Sequence, residues 1–287
     1  MKSAREILHS YGIHPRRRYS QSFLEDRAVM ERILGLAAIG ADETVLEIGS
    51  GVGLLTERIA ERAARVLAVE IDPSLVEILN RRLGRKGNVE IVSRDILKVD
   101  LSEWSGRGNA GKLKVIGNIP YSISSPILFH LLAHRRSISS ATVMMQREVA
   151  DRLTASCGCK EYGIPTVLFA VHASISGGIE VPPSCFFPPP RVHSTVLRFD
   201  FAAEPNTPLS DENFFARVVR TSFAMRRKTL FNCLRGSEAA PESDEELRRA
   251  LDAAGIVGKR RAETLTPEEF GRLSNVLREG RRHAAKR

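Results

Sequence analysis

Five short apolar runs alternate with amphipathic stretches through the first two-thirds of the chain. No other feature constrains the fold as strongly. The runs are TVLEI (44–48), RVLAVEI (65–71), VEIVS (89–93), KLKVIG (112–117) and ATVMMQ (141–146). They are rich in β-branched residues and bounded by Gly, Asp, Asn or Ser, the pattern of buried strands. Between them the spacing predicts helices over Leu54–Ala63, Pro73–Leu83 and Pro126–His134. Pro73 and Pro126 suit first-turn positions, with Asp72 and Ser124 or Ser125 as caps. Such alternation implies a mostly parallel sheet with helices on both faces.

After RVHSTVLRFDF the pattern changes. AAEPNTPLS (202–210) reads as a linker, and only helical patterns follow, over 211–223, 227–235, 244–254 and 267–278. SDEEL (243–247) and TPEEF (266–270) have the cap-then-acid start of helix N-termini. The expected organisation is an α/β domain over 1–201, a linker at about 202–209 and a small all-helical domain over 210–287, ending in the basic tail REGRRHAAKR. GRKGN and SGRGNAGK read as loops. No stretch reaches the length and apolarity of a membrane span, and no secretory signal is read at the N-terminus. Four cysteines, at 157, 159, 185 and 233, include no C-x-x-C pair. That usage points to free thiols and a cytoplasmic setting; Cys157-Gly-Cys159 lacks the second half of a metal site.

Three segments carry chemistry. In VLEIGSGVGLLT a buried strand ends at Ile48, and Gly49, Gly51 and Gly53 lead into a helix, with Glu47 two residues before the first glycine. Glycines there allow tight turning and let backbone N–H groups approach a ligand. The spacing departs from the G-x-G-x-x-G of dinucleotide sites. In AVEIDP, Glu70 ends the next strand, where a carboxylate can accept both hydroxyls of an unphosphorylated ribose. In SRDIL, Asp95 follows the third strand and can accept from an adenine amino group. Taken singly these are a turn, a loop acid and a cap. Together they sit at successive carboxyl ends of one sheet, where open α/β sheets bind ligands. The set resembles the Rossmann-like, class I S-adenosylmethionine-dependent methyltransferases.

NIPY (118–121) follows the fourth strand and so reaches the same edge. An exocyclic amine of a base is a poor nucleophile because its lone pair is delocalised into the ring. The Asn118 side-chain carbonyl and the Ile119 backbone carbonyl can both accept its N–H bonds and favour a pyramidal nitrogen. Pro120 stiffens the loop, and Tyr121 offers a ring face. A methyl sulfonium is already a good electrophile, so proximity and in-line alignment carry the reaction without a strong general base. On its own this loop leaves base, protein or small-molecule amines open as acceptors.

Longer segments narrow the choice. RRRYSQSFLEDRAV (16–29), NIPYSISSPILFHLL (118–132), MMQREVADRL (144–153), YGIPTVLF (162–169), VPPSCFFPPPRVHSTVLRF (181–199), FAMRRKTLFNCL (223–234) and RAETLTPEEF (261–270) resemble the ribosomal RNA adenine dimethyltransferases. SSPILF and RRKTL…RAETL favour the small-subunit branch. The erythromycin-resistance rRNA methylases share the first half, and Ser20-Gln21 with Ile119 lean their way. The resemblance implies N6,N6-dimethylation of two adjacent adenosines near the 3′ end of 16S rRNA, with S-adenosylmethionine as cofactor, a role in small-subunit biogenesis, and the immature small subunit as partner of a monomeric enzyme. It implies that Gln21 contacts the methionine end of the cofactor, with Ser22 and Leu24 nearby. Gly49 and its neighbours pass beneath the cofactor, Glu70 takes the ribose, Asp95 with Ile96 frames the adenine, and Ile71 is a further cofactor-binding residue. Asn118, Ile119, Pro120 and Tyr121 would hold the target base and Phe186 stack on its other face, with Phe187 the alternative. An extruded base needs such aromatic surface, although an aromatic in a proline-rich loop also serves as a core plug. The family pattern Gly-Gln-Asn-Phe is Ser20-Gln21-Ser22-Phe23 here.

A net charge of +9, concentrated in short Arg/Lys runs, suits a polyanion partner. Arg16, Arg17, Arg18, Arg147, Arg226, Arg227 and Lys228 are candidate RNA contacts. His130 and His134 share helical spacing but lack the third ligand of a metal site, and His172 and His193 read as structural. Two rival readings differ in testable ways: an assembly factor whose methylation is dispensable, and a large-subunit methylase.

Overall fold

The computed structural model describes residues 2–106 and 111–284, without the side chains at 17 and 282–284. The loop expected at 105–112 and the end of the basic tail therefore lie partly outside the described residues. The strands are β1 (Phe23–Leu24), β2 (Thr44–Ile48), β3 (Arg65–Glu70), β4 (Val89–Ser93), β5 (Leu113–Asn118), β6 (Ile138–Gln146), β7 (Ala173–Val181), β8 (Phe186–Phe187) and β9 (Ser194–Phe201). The helices are α1 (Ala4–Ser10), α2 (Arg27–Ala37), α3 (Leu54–Ile59), α4 (Pro73–Leu83), α5 (Ser124–Ala133), α6 (Arg147–Leu153), α7 (Ile164–His172), α8 (Glu212–Phe223), α9 (Leu230–Leu234), α10 (Asp244–Ala253) and α11 (Pro267–Ala284).

Seven strands form one sheet in the order β4-β3-β2-β5-β6-β9-β7. β2 pairs in parallel with β3 and β5, β3 with β4, and β5 with β6, whereas β9 runs antiparallel to β6. Every residue of β2 is buried, Thr44 and Glu47 included, as in a strand covered on both faces. The chain winds one way from β2 through β3 to β4 and the other way through β5 to β6. The crevice this reversal leaves is at the carboxyl ends of β2 and β5, the preferred ligand position in such sheets. A separate ribbon pairs Phe23 with Phe187 and Leu24 with Phe186, bringing the N-terminal segment to the proline-rich loop.

Asp72 caps α4 as expected, its carboxylate accepting from Ser74 N. α5 differs: it starts at Ser124, so its N-cap position falls on Ile123, whose side chain cannot accept a hydrogen bond, and the Ser124 hydroxyl donates to the Pro120 carbonyl. The acceptor loop and the helix that follows it are thereby tied together.

The chain divides into two compact units, Met1–Ala150 with Ser174–Phe201 and Asp151–Ala173 with Ala202–Arg287. Residues 151–173 were expected in the first domain; they belong to the second. The physical reason is α7, whose Thr166, Val167, Leu168, Phe169, Val171 and His172 are all buried and which packs on α8 and α11. The Tyr162 hydroxyl adds a bond to the Leu265 carbonyl at 2.8 Å. The expected linker is also anchored, with Ala202 N donating to His172 O and Asn206 N to Val171 O. Among the described residues no helix is long and apolar enough to cross a membrane.

Candidate active site

A cavity opens at the reversal point of the first unit, and its floor is the glycine loop after β2. Gly49 N and Ser50 N both donate to the Val69 carbonyl, at 2.9 and 3.2 Å, which folds the loop back over the end of β3. Gly51 adopts φ +58, and a Cβ there would stand 3.0 Å from the Phe23 ring. Its N–H donates to Glu70 Oε2 at 2.9 Å, while Glu70 Oε1 accepts from the Ile71 and Asp72 amides at 2.9 Å each. Burial raises the Glu70 carboxyl above the ordinary carboxylate range even against these three donors. Glu47, 2% exposed, also lines the floor. It accepts a bond from the Thr56 hydroxyl at 2.5 Å and pairs with no cation among the described residues. Burial pushes its carboxyl up to about 7.

Ile71, Asp95 and Ile96 stand together on the wall beyond Glu70. Ile71 is 44% exposed, unusual for so large an apolar side chain, and buried Ile96 adds a second apolar surface. Asp95 Oδ1 caps the following turn through Leu97 N at 3.0 Å. Its second oxygen has no hydrogen-bond partner among the described residues and is available to a ligand amine.

The opposite wall is the NIPY loop. Asn118 ends β5, and its Nδ2 donates to the Ser22 carbonyl at 2.8 Å. The amide is thereby oriented, and Oδ1 is left without a partner among the described residues. The Ile119 side chain is buried, so the chemistry this residue offers is its backbone carbonyl. The Tyr121 hydroxyl shares a 2.5 Å hydrogen bond with Ser194 Oγ, which anchors the ring. Burial raises its phenol above the usual value.

Several expected site residues stand elsewhere. Gly53 is not on the cavity wall. Its φ of +83 begins α3, and a Cβ would stand 2.8 Å from Leu83 and 2.9 Å from Leu79, so glycine serves the packing of α3 on α4. Phe186 is 4% exposed, packs in the core and is absent from the cavity wall. Its pairing with Leu24 holds it there, and half-buried Phe187 lies beneath the Arg5 guanidinium. The core-plug alternative describes Phe186 as it stands. Gln21 lines the cavity, but both ends of its amide are occupied: Oε1 accepts from Arg16 N and Nε2 donates to Asp72 Oδ2. The Ser22 hydroxyl donates to the Pro188 carbonyl at 2.7 Å. Leu24 is buried in the cavity wall.

Among the basic candidates, Arg16 is not free. It bonds Asp72 Oδ1 at 2.9 Å and Ser74 Oγ at 3.0 Å. The side chain of Arg17 lies outside the described residues. Arg18 is exposed at the cavity rim with its guanidinium over the Tyr19 ring. Arg147 is exposed, 3.6 Å from Glu180. In the second unit Arg226 donates to the Lys160 carbonyl at 2.5 Å, whereas Arg227 and Lys228 are exposed. Sequence reasoning missed the deeper part played by Asp72, which is 1% exposed and holds Arg16 and Gln21 as well as capping α4. The available signal was a second acid two residues after Glu70 and directly before Pro73. No group of described residues could hold a metal ion, His130 and His134 included.

A doubly wound sheet with this glycine floor, a buried acid at the end of β3 and an amide-bearing loop is that of a class I S-adenosylmethionine-dependent methyltransferase. Comparison with known proteins narrows the class. The family model described as ribosomal RNA adenine dimethylase matches residues 13–279. A ribosomal RNA small subunit methyltransferase A of Syntrophus aciditrophicus is 48% identical over 277 residues, covering 96% of this chain and 99% of that protein. Its counterpart from Geobacter sulfurreducens is 45% identical, covering 93% of this chain and 96% of that one. Among solved structures, the 23S rRNA methyltransferase ErmE matches with a TM-score of 0.66 and 29% identity, over 89% of this chain and 99% of its own. A dimethyladenosine transferase from Plasmodium falciparum, at 24% identity, shares the fold with a TM-score of 0.72, over 88% of this chain and 95% of its own. The chain belongs to the ribosomal RNA adenine dimethylase family.

Proposed function

We infer that the protein transfers methyl groups from S-adenosylmethionine to N6 of adenosine in small-subunit rRNA, twice per base, at two adjacent adenosines near the 3′ end of 16S rRNA. The observation that carries this reading is the Asn118 amide. With Nδ2 held by the Ser22 carbonyl, Oδ1 stands as a fixed acceptor on a cavity wall whose other features suit a nucleoside. The cavity fits the cofactor: a Cβ at Gly51 would crowd the floor, and the exposed face of Ile71 with Ile96 matches the apolar faces of an adenine. Glu70 would hold the ribose, Asp95 the adenine amine, and the Gly49–Gly51 backbone would pass beneath the cofactor where its amino-acid chain leaves the ribose. When bound, the cofactor supplies a methyl group on a positively charged sulfur.

The protein's own part is orientation. Asn118 Oδ1 and the Ile119 carbonyl accept the two N–H bonds of the target amine and turn its lone pair toward the donor. Such preorganised dipoles act without reorganisation at the moment of reaction. Tyr121, anchored through Ser194, presents a ring face to the extruded base. Each transfer would form one N–C bond as the methyl–sulfur bond breaks and the sulfonium becomes a neutral thioether, and the amine's one released proton would pass to solvent. A monomethylated amine keeps one N–H for this pair of acceptors, and a dimethylated amine keeps none. The grip therefore weakens as the product is completed, which favours release after the second transfer. The chain works as a monomer on immature small subunits, with exposed Arg18, Arg227 and Lys228 on RNA phosphates.

The test is incubation of the pure protein with methyl-labelled cofactor and unmethylated small or large ribosomal subunits, followed by nucleotide mapping. Label in N6,N6-dimethyladenosine of the small subunit is expected. Label confined to large subunits, or none, overturns the reading.

A further inference from the structure

Ser20 has φ +50, and Ala38 is the one other non-glycine residue with positive φ among those described. That region is disfavoured for any residue with a Cβ, and glycine would occupy it without strain. Serine brings what glycine lacks, a hydroxyl, and here it donates to Ser122 Oγ at 3.0 Å. Both serines line the cavity. Ser122 lies in the turn Tyr121–Ile123 that directly follows Asn118-Ile119-Pro120. Two residues after Ser20, the Ser22 carbonyl holds Asn118 Nδ2 at 2.8 Å, and the Ser22 hydroxyl is fixed on Pro188. One short segment thus holds the acceptor loop at both ends, Ser22 at its start and Ser20 at its finish. Gln21 between them is locked to Asp72 and to the Arg16 backbone, so the segment is itself rigidly placed.

We propose that Ser20 and Ser122 form a hydroxyl clasp that positions the acceptor loop for methyl transfer. Both are positioning residues and act through Asn118 and Ile119. A hydroxyl pair near solvent exchanges one hydrogen bond for another with water and adds little to stability. Its consequence is geometric: it stops the far end of the loop from swinging and keeps the Ile119 carbonyl in register with Asn118 Oδ1. Strained backbone retained beside a reaction centre fits that use. The inference rests on the proposed methyl transfer, but its test is separable from it.

Four variants decide the matter: Ser20→Ala, Ser122→Ala, the double variant and Ser20→Gly. In single-turnover transfer to unmethylated small subunits, each Ala variant should slow by about tenfold, the scale of a modest misalignment, with cofactor affinity unchanged. The double variant should be no slower than either single one, since all three lose the same bond. Ser20→Gly should melt no lower than the parent, because its backbone strain is relieved, yet transfer as slowly as Ser20→Ala. A Ser20→Gly enzyme at the parental rate, or a double variant whose loss is the product of the two single losses, overturns the clasp. Amide hydrogen exchange of the cofactor-free proteins needs no substrate. Exchange over residues 118–123 should quicken in Ser20→Ala and Ser122→Ala, and unchanged exchange overturns the clasp even where the parent methylates nothing.

Discussion

Replacing Glu47 with Gln should make the first unit more stable, and increasingly so as pH rises. The carboxyl is buried on the cavity floor with one hydroxyl donor and no cation, and it titrates at about 7 instead of its ordinary 4.5. Between those values the unfolded chain ionises this group while the folded chain keeps it protonated. The folded state then binds more protons, so its stability falls as pH rises above 4.5 and levels off above about 7. Over that window the loss is roughly 3 kcal/mol. Gln keeps an oxygen to accept from Thr56 and has no proton to lose. Trp104, the single tryptophan, is buried in the same unit, and its fluorescence reports the unfolding of that unit without interference. For a urea dependence of about 1–3 kcal/mol per molar, the variant's midpoint should exceed the parent's by about 1 M or more at pH 8 relative to their difference at pH 4.5. A difference between the two proteins that stays constant across that range would refute the reasoning, because it would mean Glu47 ionises in the fold as readily as in the unfolded chain.

Asn118→Ala removes one of two fixed acceptors and should lower the transfer rate by about 10²–10³ while cofactor affinity, measured calorimetrically, changes little. Gly53→Ala should destabilise the first unit by about 1–3 kcal/mol through its clash with Leu79 and Leu83, read from the Trp104 melt; Gly51→Ala should instead weaken cofactor binding, since its Cβ meets Phe23 at the cavity floor. Arg16→Met leaves Asp72 buried without its cation and should cost about 2 kcal/mol, less than a fully buried pair because Arg16 is partly exposed. Arg18→Ala should leave the melt unchanged and reduce the salt dependence of RNA binding by about one phosphate contact. If Arg16→Met changed RNA affinity and not stability, the assignment of Arg16 to the Asp72 network would fall.

The sequence by itself determined the parallel sheet, the order of its acids and glycines along one edge, and the helical character of the second unit. These are local properties: hydrophobic period, cap residues and glycine position are written within a few residues of each other. TVLEI and VEIVS match β2 and β4 residue for residue, and Pro73–Leu83 matches α4. Only the tertiary structure decided which neighbours those residues meet. It moved α7 into the second unit, because an all-round apolar helix takes whatever apolar surface the fold offers. It placed Phe186 in the core, bound Arg16 and Gln21 to Asp72, and assigned Gly53 to packing against α4. Charge, aromaticity and absence of a side chain are visible along the chain. Whether a guanidinium faces RNA or a buried carboxylate depends on residues 56 positions away, brought together by the sheet that the local pattern specifies.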